Sequence, residues 1–181
     1  ASDAARAYAR LRQRDATEAE ELHALDYLVY SYLQEGQDAK AKEIVDFAAS
    51  GHPTNSPLEF TAAYALAAIP SRYALERENW REAAALDIPA RPQWSSFPFL
   101  EGLIEYAHAL GRAHTGDLAG ARAAIDRMRE LRDATTDRKF ASFKKQLDLQ
   151  MEAAGARVSS GEHRQAEAEA ALALRADVAD A

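Results

Sequence analysis

The chain contains no cysteine, which excludes disulfide bonds, thiolate zinc sites and cysteine nucleophiles. Long apolar runs are also missing, because the uncharged stretch from Phe60 to Ser71 is far shorter than the roughly 20 residues of a membrane span. Basic residues are in deficit, with 22 Lys and Arg against 29 Asp and Glu and a net charge of -7. Phosphate binding needs clustered basic surface, so we expect a soluble protein with no nucleic-acid or membrane partner.

The chain also lacks an initiator methionine and any basic segment followed by an apolar one at its start. We therefore expect a mature form or a piece of a longer chain. Its 181 residues are 48% hydrophobic, which is enough for one domain with a sizeable core. On this composition we expect a folded rather than a disordered chain.

A helical hairpin is the recurring unit of the sequence. Residues 99–133 read as an apolar helix, a Gly-Asp break at Gly116 and Asp117, and a second amphipathic helix. Each half has one apolar face, so a hairpin needs a neighbour of the same design. The pattern predicts a single all-α domain over 1–181, with about nine helices: a lone helix at 2–15 and hairpins at approximately 17–50, 58–88, 97–133 and 137–178.

A small residue recurs five positions after each break. The pairs are Gly36 and Ala41, Glu78 and Ala83, Gly116 and Ala121, and Gly161 and Ala166, at intervals of 42, 38 and 45 residues. An alanine at this position lets the return helix approach the outgoing one closely, and glycine ends the outgoing helix in a left-handed cap. Pro70 lies inside a helical pattern and predicts a kink or break there.

This pattern resembles the tetratricopeptide repeat, a helix hairpin of about 34 residues. In the first hairpin Leu25, Leu28, Val29 and Tyr32 match the outgoing-helix positions, and Ala41, Val45 and Ala48 match the return-helix positions. In the second hairpin Trp80 and Ala83 match, whereas Glu78 replaces the glycine. The resemblance implies a right-handed α-solenoid with a concave groove.

A closer resemblance, over residues 1 to about 135, is to a group of uncharacterised bacterial tetratricopeptide-repeat proteins. It rests on the segments ASDAARAYAR, EELHALDYLVYSYLQEGQDAKAK, FTAAYALAAIPSRYALERENW and ALGRAHTGDLAGARAAIDRMRELRD. In that group further helical repeats precede the comparable region. The resemblance implies a piece of a longer array, in the bacterial cytoplasm or periplasm.

Candidate binding residues follow from the repeat register, which places the polar face of the outgoing helices in the groove. The predicted site consists of His23, Asp26, Tyr30, Arg72, Glu76 and Tyr106, with Gln34 and His114 as further members. Arg72 follows Pro70, and a kinked helix would aim it into the groove. Such a mixed-charge surface suits a peptide or a small anionic group, and the same residues are equally compatible with an ordinary solvated face.

The sequence gives little support for metal binding or catalysis. His23 and Asp26 are at i, i+3, but two ligands without a third fall short of a metal site, and we predict no metal and no cofactor. No nucleophile or phosphate-binding loop accompanies them, so we predict no enzyme activity. The tyrosines Tyr27, Tyr30, Tyr32, Tyr64 and Tyr73 are compatible with an aromatic cage, and also with core packing.

The sequence therefore predicts a non-catalytic scaffold that binds a protein or peptide in a concave groove. The alternative is a helical domain of a larger enzyme or small-molecule sensor, with a site that is completed by repeats outside this chain. Self-association through the exposed ends of the array is a third possibility.

Overall fold

Helices form all the regular secondary structure in residues 19–50, 60–88 and 96–179, which are the parts of the chain that the computed structural model describes. The all-α prediction is confirmed there, since these ranges contain no strand. The helices are α1 (Ala19–Gln34), α2 (Asp38–Ala49), α3 (Phe60–Glu76), α4 (Trp80–Ala84), α5 (Pro98–Thr115), α6 (Leu118–Ala134) and α7 (Ala141–Ala179), with a 3-10 helix at Arg138–Phe140.

Tight turns join α1 to α2, α3 to α4 and α5 to α6. Each turn contains one residue with left-handed backbone: Gly36 at φ 69°, Glu78 at φ 50° and Gly116 at φ 93°. The next residue donates its N–H to a carbonyl five positions earlier, as Gln37 does to Tyr32 at 2.8 Å. These bonds satisfy carbonyls at the end of the outgoing helix.

Small residues allow the paired helices to cross closely. Ala41, Ala83 and Ala121, each five positions after a turn residue, have no exposed surface. Gly111 of α5 lies against the backbone of α4, where an added Cβ would collide with the Ala84 nitrogen. Only glycine fits at that crossing.

The odd-numbered helices pack in chain order, α1 on α3, α3 on α5 and α5 on α7. Each of α2, α4 and α6 packs against its own partner and against the next odd-numbered helix. The odd-numbered helices therefore form a continuous layer.

Five phenylalanines pack together at the edge of the core: Phe99 and Phe140 are buried, and Phe60, Phe97 and Phe143 are partly buried against them. Phe99 stacks on Phe143 with ring centroids 4.5 Å apart and lies 4.8 Å from Phe140. The Phe60 ring lies 5.5 to 6.0 Å from the other four rings. This phenylalanine cluster joins α3, α5, the 3-10 helix and α7.

The predicted break at Gly161 is wrong. Helix α7 continues through Gly161 to Ala179, so the predicted hairpin at 137–178 is a 3-10 helix followed by one α-helix, and Ala166 is exposed. Tertiary packing accompanies this outcome: Gly161 lies against Leu118 of α6, and an added Cβ would be 2.7 Å from a Leu118 methyl carbon. A helical glycine costs about 1 kcal/mol relative to alanine, which such contacts can offset.

The described ranges contain seven α-helices where about nine were predicted for the whole chain. One of the missing two is explained by the continuous α7, and the predicted helix at 2–15 lies outside the described residues. Pro70 does not break α3, which runs through it. The Ser71 hydroxyl donates to the Ala67 carbonyl at 2.9 Å in the turn around the proline.

Candidate functional site

A groove crosses the layer of odd-numbered helices. It consists of a cavity of 470 Å³ between α1, α3 and α7 and a cavity of 200 Å³ between α3, α5 and α7. Tyr64 and Arg72 line both cavities, so the two cavities are adjacent. The first is lined by His23, Asp26, Tyr27, Tyr30, Phe60, Tyr64, Arg72 and Phe143, and the second adds Glu76, Tyr106, Gln146 and Gln150. We call these residues the aromatic groove.

Helical periodicity explains why these side chains share one surface. On α1 the groove residues occur at i, i+3, i+4 and i+7, beginning at His23, so they lie on one face. On α7 Phe143, Gln146 and Gln150 occur at i, i+3 and i+7. The packing of α1 against α3, and of α7 against α5 with the Phe143 ring against Phe60 of α3, then brings these faces to the same groove.

An ion pair between α1 and α3 lies in the wall of the first cavity. Arg72 Nη1 donates to Asp26 Oδ1 at 2.6 Å and to the Asp26 carbonyl at 3.0 Å. The Asp26 side chain is 8% exposed and that of Arg72 is 25% exposed. Burial raises the pKa of the Asp26 carboxyl, and the Arg72 guanidinium opposes this rise. The same guanidinium lies 5.6 Å from the centre of the Tyr30 ring.

Tyrosines provide exposed aromatic surface at the groove. Tyr27 is 62% exposed and Tyr30 is 46% exposed. The His23 ring meets the Tyr27 ring edge-on at 5.1 Å. Burial raises the pKa of the Tyr64 and Tyr106 hydroxyls above their ordinary value.

The six predicted site residues, His23, Asp26, Tyr30, Arg72, Glu76 and Tyr106, all line the aromatic groove. Gln34 donates to Glu76 at 3.2 Å at its edge. His114 does not line either cavity, because its ring stacks on Trp80 with centroids 3.6 Å apart and lies 3.1 Å from Arg157 Nη2. That these residues bind a ligand stays a prediction.

Sequence reasoning missed several residues of the groove. Phe60, Phe143, Gln146 and Gln150 were not among the predicted site residues. The spacing of the two glutamines, i and i+4 on the face of Phe143, is the signal that could have found them. Gln150 Oε1 is buried and has no hydrogen-bond partner within the described part of the chain.

The groove combines aromatic walls with a few hydrogen-bonding groups, the usual chemistry of a binding site. Among the described residues no group of three His, Cys, Asp or Glu side chains is placed to hold a metal ion. In the same ranges no helix has the length and apolar character to cross a membrane.

No protein-family model, curated protein or solved structure matches this chain.

Proposed function

We propose that this protein is a non-catalytic binding module that holds a peptide segment of another protein in the aromatic groove. The observation that carries the proposal is the exposure of Tyr27 and Tyr30 beside an aromatic cavity. Exposed aromatic rings beside a cavity are typical of protein interaction sites, because they supply contact area at a low cost in conformational entropy.

The two adjacent cavities of the groove suit an extended segment. They are lined by residues of four helices, so a ligand that lies across Tyr64 and Arg72 can contact all four. We infer that the layer of odd-numbered helices is the concave side of a right-handed, tetratricopeptide-like solenoid, of the kind found in the bacterial group that the sequence resembles. The order of helix contacts supports this interpretation, since each hairpin packs against the next one.

The alternative is a small-molecule sensor or a helical domain of a larger enzyme. The volume of the first cavity, 470 Å³, favours it, because pockets for small molecules measure about 300–1,000 Å³. His23 and Arg72 both line this cavity. The large exposed surface of Tyr27 favours a longer ligand that extends beyond the cavity.

Display selection of random peptides on the immobilised protein tests the proposal. We expect enriched peptides to bind at least about tenfold more weakly to a Tyr27→Ala/Tyr30→Ala variant, a loss of about 1.4 kcal/mol. Leu149→Ala is the matched control, because Leu149 is 66% exposed and does not line the groove. If no peptide is enriched, or if the enriched peptides bind the tyrosine variant as well as they bind the control, the proposal is wrong.

A further inference from the structure

We propose that the ligand of the aromatic groove is a proline-rich segment in the polyproline II conformation. This inference rests on the proposed function and narrows it to one chemical class of peptide. Three properties of the groove support it: its exposed tyrosines, its charge and its hydrogen-bonding groups.

The tyrosines provide surfaces on which proline rings can pack. Tyr27 and Tyr30 are three positions apart on α1, so they lie about one helical turn apart on the same face. Phe60, Tyr64 and Phe143 continue the aromatic wall. Proline-rich segments bind in aromatic-lined grooves, since their conformation is already ordered before binding.

The charge balance of the first cavity favours an uncharged ligand there, whereas the exposed carboxylate of Glu76 lies at the second cavity, where it accepts from the Gln34 amide. In the first cavity the Arg72 guanidinium is paired with the Asp26 carboxylate, which balances both charges. Neither charge is left for a ligand to pair with, and a charged ligand would lose hydration on entry without compensation. Proline and alanine residues carry no charge and avoid this cost.

The hydrogen-bonding groups match a backbone that is rich in free carbonyls. A polyproline II segment has no internal hydrogen bonds, and its prolines offer only acceptors. Groove donors include the hydroxyls of Tyr27, Tyr30 and Tyr64 and the Gln146 amide. Gln150 Oε1, buried without a partner among the described residues, can accept one N–H. A non-proline residue between the prolines would supply it.

The probe is the uncharged decapeptide PPAPPAPPAP, capped at both ends, with its affinity for the full chain measured by calorimetry. We expect saturable binding that is at least about tenfold weaker when every proline is replaced by alanine. We expect a similar loss with Tyr27→Ala/Tyr30→Ala and none with Leu149→Ala. Equal affinity for the two peptides, or no saturable binding of the probe, would overturn the inference.

Gln150→Leu tests the hydrogen-bond match separately. This variant should weaken binding of PPAPPAPPAP and leave binding of capped decaproline unchanged, because decaproline has no N–H to donate to Gln150. An equal loss for both peptides would remove Gln150 from the argument.

The two proposals can fail independently. If display selection yields proline-free peptides that depend on Tyr27 and Tyr30, the proline-rich inference is wrong and the binding function stands. If neither selected peptides nor the probe bind, both are wrong.

Discussion

Arg72 connects two of the three helices that form the first cavity, and its pairing with Asp26 balances the charge there. It reaches from α3 to both the carboxylate and the backbone carbonyl of Asp26 on α1. Because Asp26 is buried and its pKa is raised, the charged carboxylate is disfavoured in the folded protein. Arg72 reduces this cost, so its removal should matter most when Asp26 is ionised.

We predict that Arg72→Met destabilises the protein by roughly 1–3 kcal/mol at pH 7 and by less at low pH. The pKa of Asp26 in the folded state lies above its ordinary value of 3.8. Between pH 3.8 and the raised pKa, the folded state binds more protons than the unfolded state. Stability therefore falls as the pH rises through this range, and the loss persists at higher pH. Without Arg72 the pKa of Asp26 in the folded state rises further, so the pH range over which stability falls becomes wider. Urea unfolding at pH 7 and at about pH 3.5 measures the difference.

The control for this prediction is the double variant Asp26→Asn/Arg72→Met. It has no titrating group at position 26, so the pH-dependent difference between the single and double variants should come from Asp26 alone. If the cost of Arg72→Met is the same at both pH values, the proposed role of the ion pair is contradicted.

Glu78 is a second residue where local structure makes a definite prediction. Its φ of 50° is unfavourable for a residue with a Cβ, and the equivalent turns have Gly36 and Gly116. We predict that Glu78→Gly stabilises the protein by about 0.5–1 kcal/mol, whereas Gly116→Ala destabilises it by about 1 kcal/mol. Thermal unfolding of the two variants should therefore shift in opposite directions. A lower midpoint for Glu78→Gly would mean that its side chain contributes more than the backbone strain costs.

At the scale of helices, the sequence predicts the first three turns well and fails at the fourth. The predicted breaks at Gly36, Glu78 and Gly116 are turns in which these residues have left-handed backbone, whereas Gly161 lies within a helix. The same residue type is compatible with both outcomes, because glycine costs only about 1 kcal/mol in a helix. Contacts with Leu118, which no local pattern contains, accompany the helical outcome. A local break in the sequence therefore gives a turn only where the helix that follows it also packs against the helix that precedes it.

The alanines five positions after each predicted break allow a direct comparison between a turn that forms and the predicted turn at Gly161 that does not. We predict that Ala121→Leu destabilises the protein by about 1–3 kcal/mol, because Ala121 has no exposed surface and lies at a close crossing. Ala166→Leu should change stability by less than about 0.5 kcal/mol, because Ala166 is exposed on α7. Urea unfolding of both variants measures the contrast. A large cost at both positions would indicate that α7 folds back after Gly161, as the sequence pattern predicted.

At the scale of the whole molecule, the candidate site is only partly predictable from the sequence. Periodicity is sufficient to place His23, Asp26 and Tyr30 on one face of α1, since this depends on a single helix. The contribution of Phe60 and Phe143 depends on the contact between their rings, which joins α3 to α7, and residue spacing within one helix does not contain this information. Phenylalanines at helical spacing read as core, and both residues do belong to the phenylalanine cluster.

The phenylalanine cluster also makes a prediction about cooperativity. In a simple repeat array each unit contacts only its neighbours, and a damaged unit can unfold before the rest. Here Phe60, Phe99 and Phe143 bring side chains of three odd-numbered helices into contact. We therefore predict that Phe99→Ala lowers stability by about 3–5 kcal/mol while unfolding remains one cooperative transition.

Urea unfolding followed by tryptophan fluorescence and by far-ultraviolet circular dichroism checks this prediction. The two signals should give coincident curves for Phe99→Ala, shifted to lower urea than the wild type, because the cluster couples the hairpins. Leu149→Ala, at an exposed position of α7, should leave the midpoint almost unchanged. Separate transitions in the two signals would show that the hairpins unfold one by one, and that nearest-neighbour contacts rather than the phenylalanine cluster determine the stability of the array.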